Sequence, residues 1–360
     1  MSGFEVIERP LDDIEARQAI QAICLRLDQI SVVCGQGFPL YCSGAKGAWK
    51  VSAGGSWMGG FWAGLWWLRA LYSGRREDQL QALRIAERLR SKLDSASHHR
   101  SLIFWYGAGI GSRLLDNPIA GELAAQASEH LARAFNPLLG CIPLGRDLGG
   151  GSRGDCSLSI DPLAATLQLF SLSSEPRLLG LGRQQLQASF HACAGSDGAW
   201  SSHAYSQLGQ WRAGDNPGNW SRGQAWALLG LGTGARLYGA LFSSDAERTS
   251  RYWLLSRGLS VPVNRLDQPQ GGSDPCSAAM VALALQGLAI GTDGEALARQ
   301  QAGQLLAAIV RSADFEDGRF IGHCYRTAAD VEQKVESACG SFFLLAALLA
   351  WSGKLDPRLI

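Results

Sequence analysis

The chain has 360 residues, 46% of them hydrophobic and 18% charged, with 12 Trp and 44 Gly. That balance fits a globular protein with a sizeable core, folded as one large domain or two ordinary ones. A formal net charge of +1, with no run of more than two Lys or Arg, excludes the basic footprint that nucleic-acid binding needs.

The N-terminal "MSGFEVIERPLDDIEARQ" has no basic region followed by an apolar one, so no signal peptide is expected. Its "LDDIE" (11–15) reads as the start of a helix. Helical periodicity then dominates, and strand-like alternation is short and confined to loops. Helices are expected near 11–34, 57–73, 77–93, 100–114, 119–135 and 158–172, then near 178–193, 220–240, 245–257, 274–290, 294–312 and 334–352. None is apolar over a membrane-spanning length without a charge or glycine cluster. No Pro- or Ser-rich linker divides the chain, so a single domain over 1–360 is expected. The nine cysteines are scattered, odd in number and without zinc-finger spacing. This favours reduced thiols and a cytoplasmic location over a disulfide framework.

Twelve helices in 360 residues is one per 30. "SAAMVALALQGLAI" (277–290) and "CGSFFLLAALLAW" (339–351) are apolar nearly all round, so other helices must surround them. "RREDQLQALRIAERLRSKLD" (75–94) is amphipathic, as an outer helix would be. Alternating inner and outer helices suggest six hairpins closed into an all-α toroid. An irregular bundle or an open solenoid would carry the same pattern.

Weak repetition supports closure. "DGAWSSHAY" (197–205) and "DGRFIGHCY" (317–325) share Asp-Gly, an aromatic, a His and a Tyr at identical spacing, and "KGAWKVS" (46–52) carries the first half of the device. Asp-Gly favours a tight turn. Loops recurring on one rim would wall a central cavity, the aromatic packing each turn onto the barrel. His323 is read as incidental to that packing and His203 as functional.

"NWSRGQAWALLGLG" (219–232) sits at such a rim, opening a helix that Asn219 or Ser221 can cap. Arg222 offers a planar fork for a carboxylate, Gln224 a donor and an acceptor, and Trp220 and Trp226 flat apolar faces. Together they describe a subsite for a sugar acid. A buried salt bridge with tryptophan core packing describes them equally well.

"WSRGQAW" resembles the Trp-Ala-Arg-Gly-Gln-Ala-Trp signature of the unsaturated glucuronyl hydrolases, glycoside hydrolase family 88. The related rhamnogalacturonyl hydrolases usually have Asn-Gly-Trp after Arg-Gly. Further matches lie in order along most of the chain: "WMGGFWAGLWWLRALYSG" (57–74), "GCIPLGRD" (140–147), "SIDPLAATLQLF" (159–170), "SDGAWSSHAY" (196–205) and "SDPCSAAMVALALQGL" (273–288). The resemblance implies an (α/α)6 barrel, in agreement with the helix count. It also implies hydration of the C4=C5 double bond that a polysaccharide lyase leaves on a non-reducing uronic acid. The resulting hemiketal falls apart and releases the sugar. One carboxyl of raised pKa can protonate the enol-ether carbon and then assist water.

By motif position that acid/base is Asp161, between Ile160 and Pro162. An Asp before Pro at a helix start is also a common N-cap. The same resemblance places His203 near the substrate carboxylate, Arg222 and Gln224 on polar substituents, and Trp57, Trp220 and Trp226 on sugar faces. An acidic oligosaccharide is the expected partner, with no cofactor, no metal, no nucleic acid and no membrane. Nothing in the sequence speaks to oligomeric state.

The pattern also breaks. The family's second Asp lies in a His-Asp-x-Gly-Phe motif, but this chain has "HHRSLIFWYG" (98–107), read with Ser101 or Arg100 in the place of the Asp. "QWRAGDNPG" (210–218) lacks the family's His-Gln-Gly. One outcome is an active hydrolase whose second acid is Asp147 or Asp155, from "GRDLGGGSRGD" (145–155). Another is a relative that binds an acidic glycan without reacting, or acts on a saturated glycoside. Terpenoid chemistry, which also uses α-toroids, would want an Asp-rich magnesium site, and only "LDDIE" approaches one.

Overall fold

A computed structural model describes residues 9–44, 47–239, 242–328 and 331–360. Residues 1–8 of the N-terminal stretch and Lys46 of "KGAWKVS" lie outside the described residues. The first helix, α1 (Asp13–Cys34), starts as its sequence suggests. Asp12 Oδ1 accepts the amides of Ile14 and Glu15, while Glu15 Oε2 accepts the amide of Asp12, a reciprocal capping box.

Among the described residues twelve helical rods alternate between an outer and an inner ring. The outer ones are α1, α3 (Arg76–Arg88), α6 (Pro118–Arg133), α8 (Pro176–Cys193), α10 (Ser243–Arg257) and α12 (Glu295–Val310). The inner ones are α2 (Gly59–Ser73), the α4–α5 rod, α7 (Leu163–Phe170), α9 (Ser221–Tyr238), α11 (Pro275–Ala289) and α13 (Ala338–Trp351). A π-type turn, Trp105–Gly109, joins α4 (Arg100–Phe104) to α5 (Ile110–Leu115). Each inner rod packs on the next, and α13 returns to α2, so the ring closes. The architecture is an (α/α)6 barrel.

Burial explains the alternation. Every residue of α13 is buried, whereas α3 buries only Asp78, Ala82, Ile85 and Ala86. A helix without a polar face can persist only inside a second layer. The barrel axis is filled by aromatic rings: Phe61 stacks on Tyr106 at 4.5 Å between centroids, and Phe342 and Phe343 meet both edge-on or tilted. This plug closes the barrel and forms the floor of whatever lies above it.

Above the plug the connections form sheets. Strands β1 (Phe38–Ser43), β2 (Trp49–Ser52), β8 (His323–Ala328) and β9 (Val331–Ser337) make one antiparallel sheet in the order β2-β1-β9-β8. Strands β3 (Ser157–Ser159), β4 (His203–Gln207) and β5 (Gln210–Ala213) make a second. Two expected helices are therefore shorter than their sequence periods. The stretch 334–337 belongs to β9, paired with β1 from Tyr41↔Ser337 to Ser43↔Val335, and 158–159 to β3. In both, sheet partners distant in sequence override a local helical pattern.

The Asp-Gly reading holds most clearly at 317–318. Asp317 and Gly318 have φ of 48° and 79°, the turn between β6 (Phe315–Glu316) and β7 (Arg319–Phe320). Trp200 and Phe320 are buried and anchor the two repeated turns.

Inner helices approach closely at Gly60 of α2. A Cβ there would lie 2.5 Å from Ile103 O and 2.6 Å from Ile103 Cα, backbone atoms that cannot swing aside. Gly60→Ala is expected to lower the unfolding free energy by roughly 2 kcal/mol, although alanine favours helix by about 1 kcal/mol. A fall in denaturant midpoint with unchanged m-value is the readout.

Candidate functional site

A cavity of about 540 Å³ opens above the aromatic plug, at the end of the barrel that carries the sheets. Its walls include Trp57 at the start of α2, Asp161 before α7, His203 on β4, Trp220, Arg222 and Trp226 at the start of α9, and His323 and Tyr325 on β8. The repeated loops thus meet on one rim.

Asp161 lies in the turn between β3 and α7. It does not cap α7: the N-cap is Pro162 and no side chain bonds the first-turn amides. Its Oδ1 is sealed from solvent with no hydrogen-bond partner. Burial pushes its carboxyl up to about 7, the Arg222 guanidinium pulls it down, and the Asp215 carboxylate raises it again. With Oδ1 buried and unpaired the charged form is costly, and the residue's own backbone amide offsets this only in part, so the carboxyl stays well above its ordinary range. The turn itself is braced: Thr166 Oγ1 donates to Pro162 O at 2.8 Å, and Ser101 Oγ lies 3.2 Å from the same oxygen.

That contact corrects the sequence reading of "HHRSL". Ser101 is fully buried beneath the turn, and Arg100 bonds Ser97 O, Leu93 O and His130 O. Neither faces the cavity. His99 and Leu102 do. His99, its Nδ1 3.3 Å from Leu148 O and its pKa lowered by burial, is the side chain this segment offers where the family motif has an Asp. Aligning the first His of the motif on His98 would have found it.

Asp147 and Asp155 lie outside the cavity. Asp147 Oδ2 accepts the Ala96 amide at 2.7 Å, and Asp155 pairs with Arg146 at 2.5 Å on the surface. Neither is placed to act on a group held beside Asp161. Two further carboxylates line the cavity: Glu332 on β9, which is ion-paired, and Asp215, from "QWRAGDNPG", which sequence reasoning passed over. Its Oδ1 accepts the Ser202 amide at 2.9 Å and its Oδ2 the Ser202 hydroxyl at 2.6 Å.

Arg222 lines the cavity but is already engaged. It pairs with Asp274, donates to Cys324 O at 3.0 Å, and lies 4.8 Å from the Trp220 ring centroid. Of the two sequence readings of Arg222, the buried salt bridge with tryptophan packing describes these contacts. Burial raises Asp274 to about 6 against the pull of Arg222.

Gln224 is corrected outright as a substrate contact. It is fully buried, accepts the Trp200 amide at 3.0 Å and donates to Gly198 O at 2.8 Å. Its amide fastens the "DGAW" turn to α9. Nor do Asn219 or Ser221 cap α9; Asn219 accepts the Asp267 amide, and Ser221 Oγ donates to Val263 O.

The tryptophans divide. Trp226 is buried edge-on to Phe343 at 5.2 Å, while Trp57 and Trp220 are half-buried. His203 is exposed, with Nδ1 3.0 Å from Ser202 Oγ. His323 is more than incidental: it lines the cavity, its Nδ1 lies 2.7 Å from Ser337 Oγ, and burial holds it neutral. At the mouth Arg265 and Arg326 converge on Glu332, at 3.2 and 3.5 Å. Among the described residues no group of three or more His, Cys, Asp or Glu could hold a metal ion, and no helix is long and apolar enough to cross a membrane.

No family model matches the chain. The unsaturated glucuronyl hydrolase of Bacillus sp. (strain GL1) is 23% identical over 350 residues, covering 88% of this chain and 91% of that protein. An unsaturated glucuronyl hydrolase specific for heparin has a similar crystal structure, with TM-score 0.84, 16% identity, and 96% of this chain and 99% of that one covered. A mutant of the Streptococcus agalactiae unsaturated glucuronyl hydrolase, complexed with dGlcA-GalNAc6S, superposes with TM-score 0.74 at 14% identity, covering 96% and 93%. The homologue and the structural neighbours are thus unsaturated glucuronyl hydrolases, at low identity.

Asp161 ties the site to stability. Its carboxyl is raised in the folded chain, so between pH 4 and 7 the unfolded chain releases a proton that the folded chain keeps, and stability falls as pH rises through that window. Asp161→Asn removes this dependence. The variant is expected to match the wild type below pH 4 and to exceed it above pH 7 by roughly 4 kcal/mol, read from denaturation at both pH values.

Proposed function

We propose that this chain is a glycoside hydrolase that hydrates the C4=C5 double bond of an unsaturated uronic acid at the non-reducing end of an acidic oligosaccharide. Asp161 is its general acid and base. The observation that carries the reading is the state of that side chain: a carboxyl buried and unpaired at Oδ1, raised to about 7, on the wall of a cavity lined by tryptophans. The similarity to unsaturated glucuronyl hydrolases over nearly the whole chain supports the same assignment.

The chemistry needs one proton shuttle. Asp161 gives its proton to C4, and the positive charge that develops at C5 is shared with the ring oxygen. A water adds to C5 and passes its proton to the Asp161 carboxylate, restoring the acid. The hemiketal so formed opens to a ketone at C5, and the leaving sugar departs from C1. The half-buried Trp57 and Trp220 offer faces for the sugar rings, and Trp226 closes the depth of the cavity. His203, exposed on the cavity wall, is within the same space to contact the uronate.

The test is incubation with unsaturated uronyl disaccharides from several lyase digests, following loss of absorbance by the conjugated double bond. Decay by the wild type, reduced at least about 100-fold in Asp161→Asn, is expected. The acid must be protonated to start the reaction, so kcat/KM is expected to fall as pH rises through about 7. Folded wild-type protein that leaves every such substrate unchanged, yet binds one, would replace hydrolysis by recognition of an acidic glycan.

A further inference from the structure

Asp161 has lost the carboxylate that its family motif places on the neighbouring segment, where His99 now stands. The cavity nevertheless holds a second carboxylate, on the loop that follows β5. Both oxygens of Asp215 are fixed by Ser202, at 2.9 Å from its amide and 2.6 Å from its hydroxyl. The Ser202 hydroxyl has one hydrogen, and the shorter contact, to a charged acceptor, takes it. Its oxygen is then an acceptor for the neighbouring ring, 3.0 Å from His203 Nδ1. The three groups form a directed chain, from imidazole N–H to hydroxyl to carboxylate. His203 Nε2 has no hydrogen-bond partner among the described residues, and it is the Cδ2 and Nε2 atoms of the ring that lie nearest Gly214, where a Cβ would come within 2.2 Å of both.

We propose that Asp215 is the second carboxylate of this site and a positioning residue, which acts through Ser202 to hold His203 in the Nδ1–H form with its Nε2 lone pair available to the cavity. In that form the imidazole accepts a hydrogen bond from a sugar hydroxyl or the attacking water. Free histidine prefers the opposite tautomer, so the chain of bonds has a specific consequence. This inference rests on the hydrolase reading only for its kinetic part; the tautomer is a property of the protein alone.

Asp215 also acts on Asp161 through space. Its negative charge is among the causes that raise the Asp161 carboxyl, against Arg222. Among the other titratable or charged groups lining the cavity are His99 before α4, His203 on β4, Arg222 on α9 and Arg265, then His323, Tyr325 and Arg326 on β8, and Glu332 on β9, whose charge Arg265 and Arg326 offset. Burial keeps His99 and His323 neutral. Asp215 is therefore the negative group that the fold sets beside the acid.

The experiment is nitrogen and carboxyl-carbon NMR of the full chain, with the His203 signals assigned by comparison with His203→Gln. In the wild type with its imidazoles neutral, the Nδ1–H tautomer of His203 is expected to dominate; a dominant Nε2–H form would overturn the proposal without any variant. Ser202→Ala is expected to return His203 to the Nε2–H form. Asp215→Asn is expected to move the Asp161 carboxyl titration to lower pH. Given activity, it should also lower kcat roughly tenfold or more with little change in KM, and carry the high-pH fall of the rate to lower pH. Asp215→Glu is expected to recover part of both. If Asp215→Asn alters thermal stability alone and leaves the tautomer and the Asp161 titration in place, Asp215 is an anchor for its loop and the proposal fails. A wild type without activity but with the expected tautomer would defeat the hydrolase reading and leave this one standing.

Discussion

The ion pair between Arg222 and Asp274 is the contact on which the site's geometry depends. It joins the N-termini of α9 and α11, and the second arm of Arg222, on Cys324 O, adds β8 to the same knot. Three segments far apart in sequence are thereby held at one depth of the barrel. Such a pair is weak evidence for net stability, because both charges give up water. Its removal by halves is another matter: either partner alone would leave an uncompensated buried charge, at about 3–5 kcal/mol. The pair thus locks the register of the inner helices rather than adding much to the fold's free energy. It also sets the field at Asp161, since the Arg222 charge is the chief influence opposing burial there.

The barrel and its loops divide the work along the axis. Inner helices contribute apolar surface and the aromatic plug, and the few polar groups they bury serve the loops. Gln224 pins the "DGAW" turn and Thr166 braces Pro162, while from the outer helix α10 Thr249 receives the indole N–H of Trp200. Chemistry-bearing groups stand on turns and short strands at the mouth, where backbone can change without breaking the ring. The stretches 98–101 and 210–218, where the sequence departs from the motifs it resembles, both lie at or beside these loops.

What the sequence made legible follows from how local each signal is. Inner and outer helices were readable because burial on all sides leaves no polar face, as in α13 and α11. The turn at Asp317–Gly318 was readable because two successive positive φ values select that pair. Strand β9 was not, because the end of "VEQKVES" that looked helical is paired with β1, far away in the chain. Asp161 could be picked out by motif position, but its lack of a partner belongs to the tertiary structure. Gln224 looked like a binding residue because nothing in "RGQAW" says that Gly198 and Trp200 come to meet it. His99 was missed for a narrower reason: at a helix start, a slip of one residue exchanges the side chain facing the cavity for the one beneath it.

A histidine at 99, where the resembled motif has an aspartate, suits a reaction that does not require that carboxylate at the scissile bond. Direct displacement at the anomeric carbon needs two carboxyls at a fixed separation across the sugar, one to protonate the leaving oxygen and one to activate water or attack. Hydration of an enol ether needs a single group that gives and then takes one proton, because the leaving sugar is expelled later by collapse of the hemiketal. A second carboxylate in such a site has electrostatic and positional work, keeping the acid protonated and orienting its neighbours. Work of that kind falls off slowly with distance and tolerates a change of approach. A carboxylate can therefore be lost from the loop before α4 and supplied from the loop after β5, as Asp215 is, while Asp161 stays where the barrel put it.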